Sequence, residues 1–173
     1  MIIAKEKKQK NIAEYILYMW QIEDLIRANN FDIERIEQTI IKKFDADLQT
    51  TAEMRAWYEN LIALMQNENC KEKGHLQFVK NSLNDLNTLH YRLLGLSQAA
   101  DYQQSFAKSL PLISELKAKL AGNYSNDIEI CFNALYGVLL LKLQKRTISN
   151  ETQQAIRAFS ELIALLSAKY HES

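Results

Sequence analysis

The sequence predicts an all-α protein, a single-domain helical bundle of about seven helices that run mostly antiparallel to their neighbours. The 173 residues include only four glycines and one proline, so the chain has few of the residues that bound strands and tight turns. Apolar residues recur three and four positions apart along nearly the whole chain, which is the period of an α-helix. The stretches between these patterns are short, and short connections favour antiparallel neighbours.

Local signals place the ends of several helices. Thr50 and Glu53 match a capping box, in which each side chain satisfies a free backbone N–H. Gly122 suits the left-handed end of the fifth helix, and Ser125 is placed to cap the sixth. Pro111 predicts a kink in the fifth helix or its division into two shorter ones. The predicted helices are, in order, Ile3–Ala28, Asp32–Phe44, a third opening at Thr50, a fourth between Gly74 and Gly95, Gln98–Ala121, a sixth over 126–146 and a seventh capped by Ser149.

The sixth predicted helix, over 126–146, differs from the others because apolar residues occupy most of its circumference. Only Glu129, Asn133, Gly137 and Gln144 form a narrow polar or small strip. A helix that is apolar on most sides is usually buried on most sides. We therefore expect this helix to be central, and since no linker or repeat interrupts the pattern, residues 1–173 to form one domain.

Composition limits the classes of partner. Lys and Arg together number 21, as do Asp and Glu, so the formal net charge is zero and no nucleic-acid partner is expected. The longest apolar run, from Ala134 to Leu141, is much shorter than the roughly 20 residues of a membrane span. Cys70 and Cys131 match no disulfide or zinc spacing, which indicates two reduced thiols. These observations predict a cytoplasmic protein without a membrane partner.

Several stretches resemble a known family over nearly the full length of the chain. They are NIAEYILYMWQIEDLIRANNFD (Asn11–Asp32), CFNALYGVLLLKLQKR (Cys131–Arg146), EKGH (Glu72–His75) and ETQQAI (Glu151–Ile156). In these stretches the chain resembles an all-helical domain-of-unknown-function family from Bacteroidetes. The resemblance implies a single helical domain and supplies no activity, cofactor or catalytic residue.

Glu23, Arg27 and His90 occupy positions on or beside apolar helix faces, and Asn133 lies on the narrow polar strip of the sixth helix. Glu23 and Arg27 lie one turn apart on the apolar side of the first helix, where they either form an internal ion pair or line a pocket for a small anionic or amide ligand. His90 is either a neutral core residue with one hydrogen bond or a ligand-binding group. Asn133 faces either solvent or the same interior. If all four converge, they form a buried polar cluster.

Metal ligation and nucleophilic catalysis have little support in the sequence. Glu72 and His75 give one Glu-x-x-His spacing, whereas a di-iron bundle needs two such motifs and further glutamates. Cys131 lies on an apolar helix face, where burial makes a thiol unreactive. No catalytic residue, metal or cofactor is therefore expected.

Partner binding has more support. Leu17 lies on the otherwise polar side of the first helix, with Tyr18 and Leu25 bordering it. A helix that is apolar nearly all round is enclosed by its own domain or covered by a second chain, and a net charge of zero removes self-repulsion. The sequence thus favours a non-enzymatic interaction or scaffold domain that forms a homodimer or binds another protein through these three residues. The alternative is a small-ligand-binding domain or enzyme that uses the buried polar cluster.

Overall fold

The computed structural model describes residues 2–119 and 126–172. These residues form eight α-helices and a short 3-10 helix at Ile41–Lys43, and no β-strand occurs among them, so the predicted all-α class is confirmed. The helices are α1 Ile2–Lys10, α2 Ile12–Ala28, α3 Ile33–Thr39, α4 Leu48–Asn67, α5 Gln77–Leu94, α6 Ala100–Lys119, α7 Asp127–Leu143 and α8 Asn150–Glu172.

The chain divides into two compact units. The first comprises Met1–Lys10 and Glu14–Asn81, and the second comprises Asn11–Ala13 and Ser82–Ser173. Helices α2 and α5 each contribute residues to both units. The assignment of residues 1–173 to a single domain stays a prediction, because compactness alone does not show whether the two units fold together.

The predicted first helix is in fact two helices, because Asn11 is not helical. Within the second unit, side chains of α8 accept the N–H groups that open α2. Nε2 of His171 accepts from the N–H of Ile12 at 3.0 Å, and Oγ of Ser167 accepts from the N–H of Ala13 at 3.5 Å. The Ser167 hydroxyl in turn donates to Oδ1 of Asn11 at 2.9 Å. The first N–H groups of a helix need acceptors outside it, and these side chains supply them.

The start of α4 also differs from the prediction. Asp47, and not Thr50, is the N-cap, since its side chain accepts from the N–H of Thr50 at 2.6 Å. Glu53 does not complete a capping box either, because its carboxylate accepts from the Gln49 side chain at 3.2 Å. Asp47 therefore performs the role that the sequence pattern gave to Thr50.

Other predicted helix ends are confirmed or moved. The predicted second helix, Asp32–Phe44, ends as α3 at Thr39 and is followed by the 3-10 helix. Ser149 accepts from the N–H of Thr152 at 3.2 Å at the start of α8, as expected of a cap. Asn126 caps α7 by accepting from the N–H of Glu129 at 2.8 Å. The predicted roles of Gly122 and Ser125 lie outside the described residues.

The sixth predicted helix corresponds to α7, which packs against both α6 and α8 in the second unit. Helix α6 runs through Pro111 as one continuous helix and is not divided there. The first half of α7 is buried along Ile128–Phe132 apart from Glu129, whereas 139–141 are half-buried and Leu143 is 66% exposed. An apolar helix side therefore remains open to solvent in this unit.

Candidate functional site

A buried carboxylate holds the connection between α4 and α5 in the first unit. Glu23 of α2 is fully buried. Its Oε1 accepts from the N–H of Leu76 at 2.9 Å, and its Oε2 lies 2.5 Å from Nδ1 of His75. The His75 ring is stacked on Trp20, with ring centroids 4.3 Å apart. Glu23 and Trp20 thus fix the two residues that precede α5.

Arg27 holds the same connection by donating hydrogen bonds to backbone carbonyls of that connection. Its guanidinium donates to the carbonyl of Cys70 at 3.0 and 3.2 Å and to the carbonyl of Gly74. Its side-chain ion pair is with Asp24, at 2.8 Å. The predicted ion pair between Glu23 and Arg27 is therefore wrong, and each side chain instead binds the segment that precedes α5.

His75 is the partner that sequence reasoning missed. A buried carboxylate needs hydrogen-bond donors, so the position of Glu23 on an apolar helix face did signal that a partner exists. A carboxylate beside one imidazole nitrogen fixes the ring, as in catalytic and metal-binding histidines. However, the described part of the chain contains no group of three or more His, Cys, Asp or Glu residues arranged to hold a metal ion. The observed contacts of His75 hold the segment before α5 against α2.

His90 is a core residue of the second unit. Its side chain is buried, and Nδ1 lies 2.6 Å from the hydroxyl oxygen of Tyr102. The ring also packs edge-on against Phe106, with centroids 4.7 Å apart. Burial lowers the pKa of His90, which favours the neutral imidazole. This arrangement matches one of the two alternatives predicted for His90, a neutral core residue with one hydrogen bond.

Asn133 is half-buried on α7, and its side-chain amide donates to the carbonyl of Glu129 in the same helix at 2.9 Å. Asn133 and His90 belong to the second unit, whereas Glu23 and Arg27 belong to the first. Each of the four has hydrogen-bond partners of its own. Their convergence into one ligand site stays a prediction.

Both cysteines are free and buried. The Cys70 thiol donates to the carbonyl of His75 at 3.4 Å, and burial raises its pKa. Burial raises the pKa of Cys131 to about 12. A reactive cysteine needs an accessible thiolate, and neither thiol provides one.

The second unit contains an apolar groove. Helices α6, α7 and α8 enclose a volume of about 750 Å³. At Gly137 an added Cβ would meet nothing within 4 Å, so this wall of the groove is open. Glu115, Lys119 and Glu151 are polar residues in its lining. Its apolar lining consists of Leu112, Leu116, Ala134, Val138, Leu141, Ala155, Ile156 and Phe159.

A basic cleft of about 430 Å³ adjoins this groove and shares Val138 and Ile156 with it. Three cations line the cleft: Lys142 in the last turn of α7, Arg146 in the segment that follows α7, and Arg157 of α8. All three are exposed, and none forms an ion pair with any residue that the structure describes. The groove thus ends beside a concentration of positive charge.

The predicted interface residues of α2 are partly accessible. Leu17 and Tyr18 are half-buried, and Leu25 is 39% exposed. Homodimer formation through them stays a prediction.

The fold and the site define an all-helical protein with an open apolar groove. Among the helices of residues 2–119 and 126–172, none combines the length and the hydropathy that crossing a membrane requires. The chain belongs to the DUF4924 family, described as a domain of unknown function, whose model matches residues 1–173. Comparisons with curated proteins and with solved structures found no significant match.

Proposed function

We propose that the protein is a non-enzymatic interaction domain, and that the groove between α6, α7 and α8 binds an amphipathic helix of a partner protein. The observation that supports this proposal is the groove itself, which has a volume of about 750 Å³ and is lined by the half-buried second half of α7. An apolar groove between helices is the kind of surface that receives the apolar face of an amphipathic helix.

The walls of the groove have the spacing that a helix needs. On α6 the lining residues run from Leu112 to Lys119, and on α7 from Ala134 to Leu141, each at intervals of three and four. Each wall is therefore one helix face of about two turns, or ~10 Å. Phe159 and its neighbours on α8 complete the lining. A partner helix packs into such a surface through its own ridge of apolar residues.

The open side of the groove favours a helix over a small molecule. The volume is within the range of about 300–1,000 Å³ for small-ligand pockets, but such pockets enclose most of their ligand. Here Gly137, Glu115 and Glu151 are all exposed. Small side chains at Ala134 and Ala155 also allow close approach of another backbone.

A displayed library of helical peptides tests this function. Peptides selected on the wild-type protein are retested on Gly137→Trp, in which the indole fills the groove without displacing any atom within 4 Å of the new Cβ. Gly95→Trp is the matched control, since Gly95 is also exposed but lies outside the groove. Binding that is lost in Gly137→Trp and kept in Gly95→Trp is expected. If every selected peptide tolerates Gly137→Trp, the proposal is wrong.

Self-association through α2 is a second candidate, supported by the exposure of Leu25. In that arrangement Leu17, Tyr18 and Leu25 form the contact with a second copy. Analytical ultracentrifugation at high micromolar concentration should then show a dimer that Leu25→Glu dissociates. A monomeric wild-type protein under those conditions excludes this candidate.

We also propose a cytoplasmic location, which is supported by the two free thiols of Cys70 and Cys131. Reduced thiols are typical of that compartment.

A further inference from the structure

We infer that the partner helix is acidic at one end, and that its carboxylates bind between Lys142, Arg146 and Arg157. This inference rests on the proposed function, because it describes the helix that the groove receives. It adds the charge and the direction of that helix to its apolar face.

The groove and the basic cleft are adjacent. Val138 of α7 and Ile156 of α8 line both. A helix that lies on these two residues therefore presents one end to the three cations without leaving the surface. The apolar contacts and the charged contacts belong to one binding surface.

The charges along this surface are unequal. Lys119, in the lining of the groove, is neutralised by Glu115, since Nζ and Oε1 lie 2.6 Å apart. Lys142, Arg146 and Arg157 have no such acid among the described residues. The surface is thus cationic at the cleft, whereas the groove lining has two acids, Glu115 and Glu151, for the one cation Lys119. This difference gives a helix with one acidic end a preferred direction.

The helix dipole accounts for only part of this arrangement. Lys142 lies in the last turn of α7, where the negative end of the dipole stabilises a cation. Arg157 lies in the second turn of α8, near the positive end of that helix, so it gains nothing from its own dipole. Arginine binds carboxylates through two parallel hydrogen bonds, which makes Arg146 and Arg157 suitable partners for Glu or Asp of a bound helix.

Peptide selection also tests this inference. Groove-dependent peptides selected on the wild-type protein should be enriched in Asp and Glu at one end. The affinity of one such synthetic peptide should fall about tenfold in Arg146→Glu/Arg157→Glu, and should fall as salt increases. Selection on that double variant should instead enrich Lys and Arg at the same end. Lys80→Glu/Lys108→Glu makes the same charge change outside the cleft and should alter the affinity less than about twofold.

The outcomes separate the two proposals. Peptides that need the open groove but show no acidic enrichment, or bind Arg146→Glu/Arg157→Glu normally, overturn the inference and leave the interaction function intact. If no selected peptide depends on Gly137, both are overturned. Circular dichroism and the melting temperature of each variant check that it is folded, because a misfolded variant would lose binding for an unrelated reason.

Discussion

At the scale of single residues, Glu23 is a side chain whose burial requires a tertiary contact. A carboxylate that is fully buried must have its oxygens hydrogen-bonded, and Glu23 satisfies one with the Leu76 N–H and the other with His75. These two partners belong to the segment just before α5. The residue thus ties α2 to a connection that has no regular secondary structure of its own.

Removing this carboxylate should destabilise the protein. Glu23→Ala leaves the N–H of Leu76 and Nδ1 of His75 without their acceptor, and we expect a loss of about 2–5 kcal/mol in urea denaturation. Amide exchange at Leu76 should also become faster. Glu6→Ala, which removes an exposed acid paired with Lys10, should leave stability unchanged. Equal stabilities of the two variants would show that Glu23 does not hold the connection.

His90 should make stability depend on pH. Burial lowers the pKa of His90 in the folded protein, so on acidification the unfolded chain binds this proton first. Stability from this group is complete above about pH 6.5 and is lost as the pH falls below it, by at most about 1.4 kcal/mol per pH unit. In His90→Gln, urea denaturation should show a shallower loss of stability with acidification than in the wild type. Identical slopes would contradict this assignment.

At the scale of the elements, α7 shows what helical periodicity predicts and what it does not. The pattern over 126–146 correctly placed a helix that is apolar on most sides, and its first half is buried. Periodicity identifies which sides of a helix are apolar but not which chain covers them. The exposure of Leu143 and the open wall at Gly137 therefore became visible only when the neighbouring helices were in place.

The ends of helices depend on contacts that local patterns do not contain. Asn11 interrupts the predicted first helix because Ser167 and His171, far away in sequence, accept the N–H groups that follow it. At the start of α4 the sequence offers two side-chain acceptors, Asp47 and Thr50, and in the structure Asp47 is the cap.

The start of α4 gives a direct comparison of two candidate caps. Asp47→Ala removes the acceptor for the Thr50 N–H and should lower the melting temperature by about 2–4 °C, a typical effect of a lost cap in a chain of this length. Thr50→Ala should have a smaller effect, because Thr50 contributes a backbone donor that alanine keeps. Differential scanning calorimetry measures both. A larger effect of Thr50→Ala than of Asp47→Ala would show that Thr50, as the capping box predicts, is the cap.

At the scale of the whole molecule, the cooperativity of unfolding tests the prediction of a single domain. Both tryptophans, Trp20 and Trp57, belong to the first unit, so their fluorescence reports on that unit, whereas circular dichroism reports on all helices. Because α2 and α5 contribute residues to both units, we expect the two thermal transitions to coincide. A separate fluorescence transition would show that the units unfold independently.

The fold class was predictable from the sequence, whereas the pairing of the candidate site residues was not. The apolar face of the first helix correctly predicted that Glu23 would be buried, because burial follows from helical spacing. Its partner His75 comes from another part of the chain, and local spacing offered Arg27 as the nearest cation. The basic cleft could not be predicted either, because Arg146 and Arg157 come from different segments that only the tertiary fold brings together.

The burial of both native thiols has a practical consequence. Maleimides and other alkylating reagents attack accessible thiolates, so Cys70 and Cys131 should stay unmodified in the folded protein. The native chain then behaves towards such reagents as if it contained no cysteine. A cysteine introduced at Gly137 would then be the one residue that takes up a spin label or fluorophore. Neither native cysteine would have to be replaced first.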